Sequence, residues 1–258
     1  MTGWHDRAHH AARNNADLYE AVFRAHGLGF HRDASLFRAI DPPPPYYSAA
    51  LVLMRGDEAA QVAAIAAALA PFGGKAAVKD GFAALDLAPL GLELGFHASW
   101  IWAEAKPQSE NPGWHVATNA SDLARWERAW QSGGSPADQR IFPPECLNDG
   151  ELLFCGRACG AGFDAGCIIN RSGDIVGLSN VFGPSGDAGL FPAALAMARW
   201  LGRGKPVTGF EGGAARDAAL AAGFADAGPL TVWFPKPGNR GTSTHPPGFS
   251  PQPVQDRA

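Results

Sequence analysis

The sequence predicts an α/β fold, a mixed β-sheet flanked by helices, and three observations predict it. Apolar runs of strand length alternate with runs of helical period in the second half of the chain. Three strand-like runs there follow one another across short turns, and the helical runs stop at glycine. The 258 residues exceed the roughly 100–200 of a usual single domain, so one large domain or two small ones are open, and either can bury a core.

The elements are read in chain order. Residues 1–15 carry His5, His9 and His10 among charged and small residues with no apolar run behind them. They read as a solvated, mobile segment, neither a secretory leader nor a metal site. From 17 to 26, Leu18, Val22 and Phe23 recur at helical spacing and Gly27 supplies a stop, which gives a short amphipathic helix. The run YYSAALVLM at 46–54 predicts a buried strand, and 57–70 a helix ended by Pro71 and Gly73-Gly74. Lys75, Lys79 and Asp80 read as a solvated turn. A further strand is expected at 96–103. The polar, proline-containing stretch 106–113 then sets an expected boundary between a first domain at 1–110 and a second at 113–234.

In the second half, 114–117 predicts a strand. Asn119 or Ser121 caps a helix that places Leu123, Trp126 and Trp130 on one face. Strands at 152–159, 166–170 and 175–182 form an antiparallel meander with turns at 160–164 and 171–174. A helix at 191–201 has Pro192 in its first turn and Gly202 past its end. A strand at 205–210, a helix at 214–222 stopping at Gly223, and a last strand PLTVWF at 229–234 complete the order. Residues 235–258 are polar and rich in Pro and Gly, and are expected to be a disordered tail.

Composition narrows the function classes. Charged residues are 18% and the formal net charge is -4, so nothing draws the chain to nucleic acid or anionic lipid. The longest greasy stretch, 59–70, falls short of the roughly 20 residues that cross a bilayer. Cys146, Cys155, Cys159 and Cys167 show no paired Cys-x-x-Cys spacing. They read as reduced, mostly buried thiols, which with no leader points to a soluble, cytoplasmic protein, while sequence leaves a Cys155–Cys159 disulfide open. Trp114, Trp126, Trp130, Trp200 and Trp233 fall at core-facing positions.

Three strings carry a family resemblance: WHVATNASDLARWERAW, AGCIINRSGDIVGLSNVF and GFEGGAARDAALAAGFADAGPLTVWF. With the order strand, helix, three meander strands, helix, strand, helix, strand, they resemble the GNAT (N-acyltransferase) superfamily over about residues 113–234. A fainter echo, GFAALDLAPLGLELGFHASWIW, resembles the terminal helix and strand of the second half and suggests a degenerate first copy, hence two GNAT-like halves.

The resemblance implies a fourth strand that splays from its neighbour and pairs with the pantetheine arm of acetyl-CoA or another acyl-CoA, a role that falls on Val176, Gly177, Leu178 and Val181. It also implies that the next loop opens a helix whose amides bind the pyrophosphate. GPSGDAG at 183–189 keeps Gly186 and Ala188 of that pattern but has Gly183 where a Gln or Arg is expected, and Asp187 adds a negative charge there. The catalytic candidates are Glu211 as a base, if partly buried, with Ser179 and Asn180 as polar ligands at the splay. Phe210 stands where an aromatic hydroxyl is expected. The activity implied is acyl-CoA-dependent N-acyl (acetyl) transfer to a small-molecule amine or amino-acid-like acceptor, without a metal. A catalytically inactive GNAT-like binding or regulatory module is the alternative.

Overall fold

The computed structural model describes residues 4–135 and 137–237. Helix α1 (Trp4–Ala25) leads into β1 (Phe30–Arg32), β2 (Leu36–Ala39), β3 (Ala50–Val52), α2 (Glu58–Leu69), β4 (Val78–Asp80) and β5 (Leu92–Ala103). Then come β6 (His115–Val116), α3 (Ala120–Ser132), β7 (Leu152–Cys159), β8 (Gly162–Ser172), β9 (Ile175–Phe182), α4 (Leu190–Leu201), β10 (Val207–Glu211), α5 (Gly213–Ala221) and β11 (Ala225–Pro235). Asn119 caps α3 through the Asp122 N–H, as its sequence requires, and Asp57 caps α2 through the Ala60 N–H.

The eleven strands among the described residues form one mixed sheet, in the order β1-β2-β3-β4-β11-β5-β10-β9-β8-β7-β6. The order repeats about its centre. In each half an antiparallel meander (β1-β2-β3, β7-β8-β9) is followed by a 12-residue helix and then by a strand parallel to the meander's last member. The terminal strand of each half crosses into the other: β5 pairs with β10, β11 pairs with β4, and β5 and β11 pair with each other. The expected boundary at 110–113 is therefore no break in the sheet, because β5 of the first half sits between β10 and β11 of the second.

Two clusters of buried side chains cover the two faces. One joins α1, α2 and α3 through Phe23, Ile65 and Trp126; the other joins α4 and α5 through Leu195, Met197 and Ala219. Of the tryptophans, Trp114, Trp126 and Trp130 are buried, whereas Trp200 and Trp233 are only half-buried.

Several sequence expectations are corrected. Helix α1 begins at Trp4 and not near 17, because Ala8, Ala11, Ala12 and Ala16 continue the stripe of Tyr19, Val22 and Phe23, and all seven are buried. Alanines are too small to mark an apolar stripe in sequence, yet they let a helix sit close on a sheet. His9 packs against Phe82 at 5.0 Å and His10 against Trp102 at 6.3 Å, so neither belongs to a mobile segment. The 46–54 run contributes only three strand residues, and it opens on Tyr46 with a positive φ of 71°.

Lys79 and Asp80 are not on a solvated turn; both are buried. The Asp80 carboxylate accepts the N–H groups of Phe82, Ala84 and Leu85 at 3.0, 2.7 and 2.8 Å, fixing the loop where the echo suggested a helix. Of the tail, Pro235 closes β11 and residues 238–258 lie outside those described.

Candidate functional site

The parallel strands β9 and β10 share only two register positions, Val176 with Val207 and Gly177 with Thr208. Beyond them the strands part. On its other side β9 stays paired with β8, but Ile168 faces Ser179 and Gly166 faces Phe182, so β9 carries one extra residue. Asn180 absorbs it with a φ of 53°, the β-bulge that turns the strand away. From Ser179 to Phe182 the β9 edge facing β10 has no strand partner, a template for an extended ligand. Val176 and Gly177, expected on that edge, lie in the closed part of the ladder. Leu178 is buried against the α4 side, and Val181 stands on the open segment.

The loop after β9 is built as a turn. Asp187 N–H donates to the Pro184 carbonyl at 3.2 Å, the Asp187 carboxylate caps Gly189 N–H at 2.9 Å, and Leu190 N–H returns to the Asp187 carbonyl at 3.1 Å. Gly186 takes a φ of 77°, which suits glycine, and faces open space. The N–H groups of Gly186 and Ala188 have no acceptor among the described residues. Gly183 packs against Leu190 and supplies no cation.

A cation arrives from elsewhere. Arg157 of β7 holds Asp164 through two bonds, at 2.8 and 3.2 Å, and reaches Asp187 at 2.9 Å. Its guanidinium keeps the Asp187 carboxyl below the usual range. The negative charge that Asp187 brings to the loop is thus already paired. Arg157 lies 30 residues upstream of Asp187, and no local motif marks it.

The opposite face of the divergence is closed by α1. Ala11, Asn14 and Asn15 meet Asn170, Ser179 and Thr208 around a cavity of about 10 Å³. The Asn170 side-chain amide donates to the Asn14 carbonyl at 3.1 Å. Gly177 lies beneath, where a Cβ would overlap Oδ1 of both Asn14 and Asn170. The Ser179 hydroxyl is buried and lacks a hydrogen-bond partner.

Next to this cavity, Lys79 donates to Asn15 Oδ1 at 2.9 Å, and its ammonium lies 4.1 Å from the Phe210 ring centroid and 5.2 Å from that of Tyr19. Desolvation lowers its pKa. Phe210 has no hydroxyl to give; it supports a buried cation instead. The tyrosine of this cluster, Tyr19, comes from α1.

Glu211 follows Phe210 and so points to the other face. It sits opposite Ser99, whose hydroxyl is held by Arg216 of α5 at 3.1 Å. Glu211 is partly buried, and desolvation pushes its carboxyl up to about 8. The sheet therefore separates the expected base from Ser179. Asn180 follows Ser179 on the bulge.

Solved structures share the overall fold. A GCN5-related N-acetyltransferase from Kribbella flavida superposes with a TM-score of 0.58 at 14% identity, over 88% of this chain and 95% of that one. A structure from Novosphingobium aromaticivorans assigned to the GNAT family gives 0.52 at 14% identity, over 84% and 96%. A functionally unknown conserved protein from Staphylococcus epidermidis gives 0.52 at 12%, over 79% and 91%.

The chain has the GNAT fold.

The likeness spans both halves, not the second alone. No protein-family model and no curated protein matches the sequence.

The remaining candidates resolve simply. All four cysteines are free; Cys146, Cys155 and Cys167 are buried, and Cys159 is exposed. Among the described residues no group of three or more His, Cys, Asp or Glu assembles that could hold a metal ion. No helix among them is long and apolar enough to cross a membrane.

Proposed function

We propose that this protein binds an acyl-CoA along the open edge of β9 and transfers the acyl group to a small nucleophile, an amine on the reading of the sequence. The observation that carries the proposal is the parting of β9 from β10 at the Asn180 bulge, beside a loop with two unengaged amides. Pantetheine amides pair with the main chain of 179–182. The pyrophosphate takes the N–H groups of Gly186 and Ala188 at the start of α4, where the helix terminus adds partial positive charge.

Arg157 is a cation that reaches this loop, and a diphosphate competes with Asp187 for it. Glu211 is the candidate base. A carboxyl with a pKa of about 8 is substantially ionised at weakly alkaline pH and basic enough there to take a proton from an ammonium acceptor. Asn180 orients the acyl carbonyl from the bulge. No metal enters this scheme. The protein acts as a soluble, cytoplasmic enzyme without a nucleic-acid or membrane partner.

A second reading, a catalytically inactive acyl-CoA-binding module, is favoured by one feature: α1 fills the face of the divergence opposite α4. Calorimetric titration with acetyl-CoA tests both readings. Saturable micromolar binding is expected. Asp187→Asn should tighten it several-fold by releasing Arg157 to the phosphates, and Gly186→Val should abolish it by forcing a β-branched residue into a positive φ. Absence of binding would refute the acyl-CoA reading, and binding without turnover on any nucleophile would favour the inactive module.

A further inference from the structure

The cavity at the β9–β10 divergence limits what can attack a bound thioester from the α1 face. Its volume of about 10 Å³ is close to the least that holds one water. The walls cannot simply draw back. Ala11 and Ala12 of α1 are 1% and 0% exposed, and Phe23 on the same helix is 0% exposed, so α1 is part of the core and not a lid. Asn14 and Asn170 are tied to each other, and Asn15 is tied to the buried Lys79.

Among the side chains that line the cavity, one polar group is left over. The Ser179 hydroxyl is buried without a partner, in a molecule whose buried polar atoms otherwise largely find one. It lines the cavity and is also the first residue of the open β9 edge, so whatever occupies the cavity lies directly beside a thioester laid along that edge.

We infer that the nucleophile this cavity supplies is water, held by the Ser179 hydroxyl, and that the protein hydrolyses acyl-CoA thioesters. The inference rests on the acyl-CoA reading above and narrows its acceptor. Water is the smallest nucleophile and the one that best suits a space of this size. In the reaction the water oxygen forms a bond to the acyl carbon and the carbon–sulfur bond breaks. One water proton ends on the departing sulfur and the other is released when the carboxylic acid ionises, so one thioester and one water give one carboxylate, one CoA thiol and one proton. No oxidant, metal or further reactant is needed.

The test uses the full chain with acetyl-CoA, separating CoA from acetyl-CoA by chromatography, in water enriched in ¹⁸O. CoA release above the buffer rate, with one ¹⁸O in the acetate, is expected. Ser179→Ala removes the water's partner and should slow release at least tenfold while acetyl-CoA binding by calorimetry stays within threefold. Ala11→Val, which fills the cavity, should act the same way without touching Ser179.

Binding of acetyl-CoA with no release above buffer would overturn the hydrolysis proposal and leave the acyl-CoA reading standing. So would unchanged release in both variants, or faster formation of an N-acetyl product than of acetate when methylamine is added. No binding at all would overturn both.

Discussion

Replacing Glu211 by Gln should flatten the pH dependence of stability between pH 6 and pH 9. The carboxyl has an ordinary value of 4.5 and is pushed up to about 8 by desolvation, with no hydrogen-bond or ion-pair partner among the described residues. An acid whose folded pKa is raised holds a proton that the unfolded chain has lost. Its contribution is fully present below 4.5 and is lost as pH rises through 8.

Between pH 6 and pH 9 linkage gives a loss of roughly 2–3 kcal/mol for wild type, with the lower figure apt for a partly exposed group. For a chain of this size that corresponds to about 4–10 °C in Tm. The assay is thermal or urea unfolding of both proteins at pH 6, 7.5 and 9. Every other ionisable group is common to the two proteins, so the difference between the two curves isolates Glu211. Parallel pH dependences would refute the claim that this carboxyl is desolvated.

Two further substitutions probe the frame of the site. Gly177→Ala forces a methyl group onto the Asn14 and Asn170 side chains and should destabilise by about 1–3 kcal/mol in urea unfolding, with neighbouring Leu178→Met nearly neutral. Asp80→Asn turns a carboxylate that accepts three backbone N–H groups into an amide with one acceptor oxygen, and should cost about 2–4 kcal/mol by the same measurement.

Much of the fold is legible in the sequence where local signals and tertiary context agree. Helix α3 announces itself through Asn119 and the Leu123, Trp126, Trp130 stripe. The β7–β9 meander does so through apolar runs punctuated by Gly160 and Gly173. Most of the first half is hidden for physical reasons. The stripe of α1 is largely alanine, and β1, β2, β3 and β4 are three or four residues long, too short for alternation to register.

The site divides in the same way. The positive-φ loop at Gly186 and the strand that carries the bulge can be read from residues near one another in sequence. Sequence also names Ser179 and Glu211 but cannot show that the sheet puts them on opposite faces. Arg157, Asn14, Asn15 and Lys79 reach the site from β7, α1 and β4. Their roles depend on the exchange of β5 and β11 between halves and on where α1 lies, and no local spacing records either. Lys79 is the sharpest case: a lone lysine before an aspartate reads as surface, yet here it lies against Phe210 and Tyr19 in the core.

Whether the open edge of β9 and the start of α4 receive an acyl-CoA is tested most directly by amide hydrogen exchange with and without saturating acetyl-CoA. Slowed exchange confined to 179–182 and 186–188, with α1 unchanged, is the predicted result. Protection appearing elsewhere, or none at these amides when acetyl-CoA is bound, would contradict it.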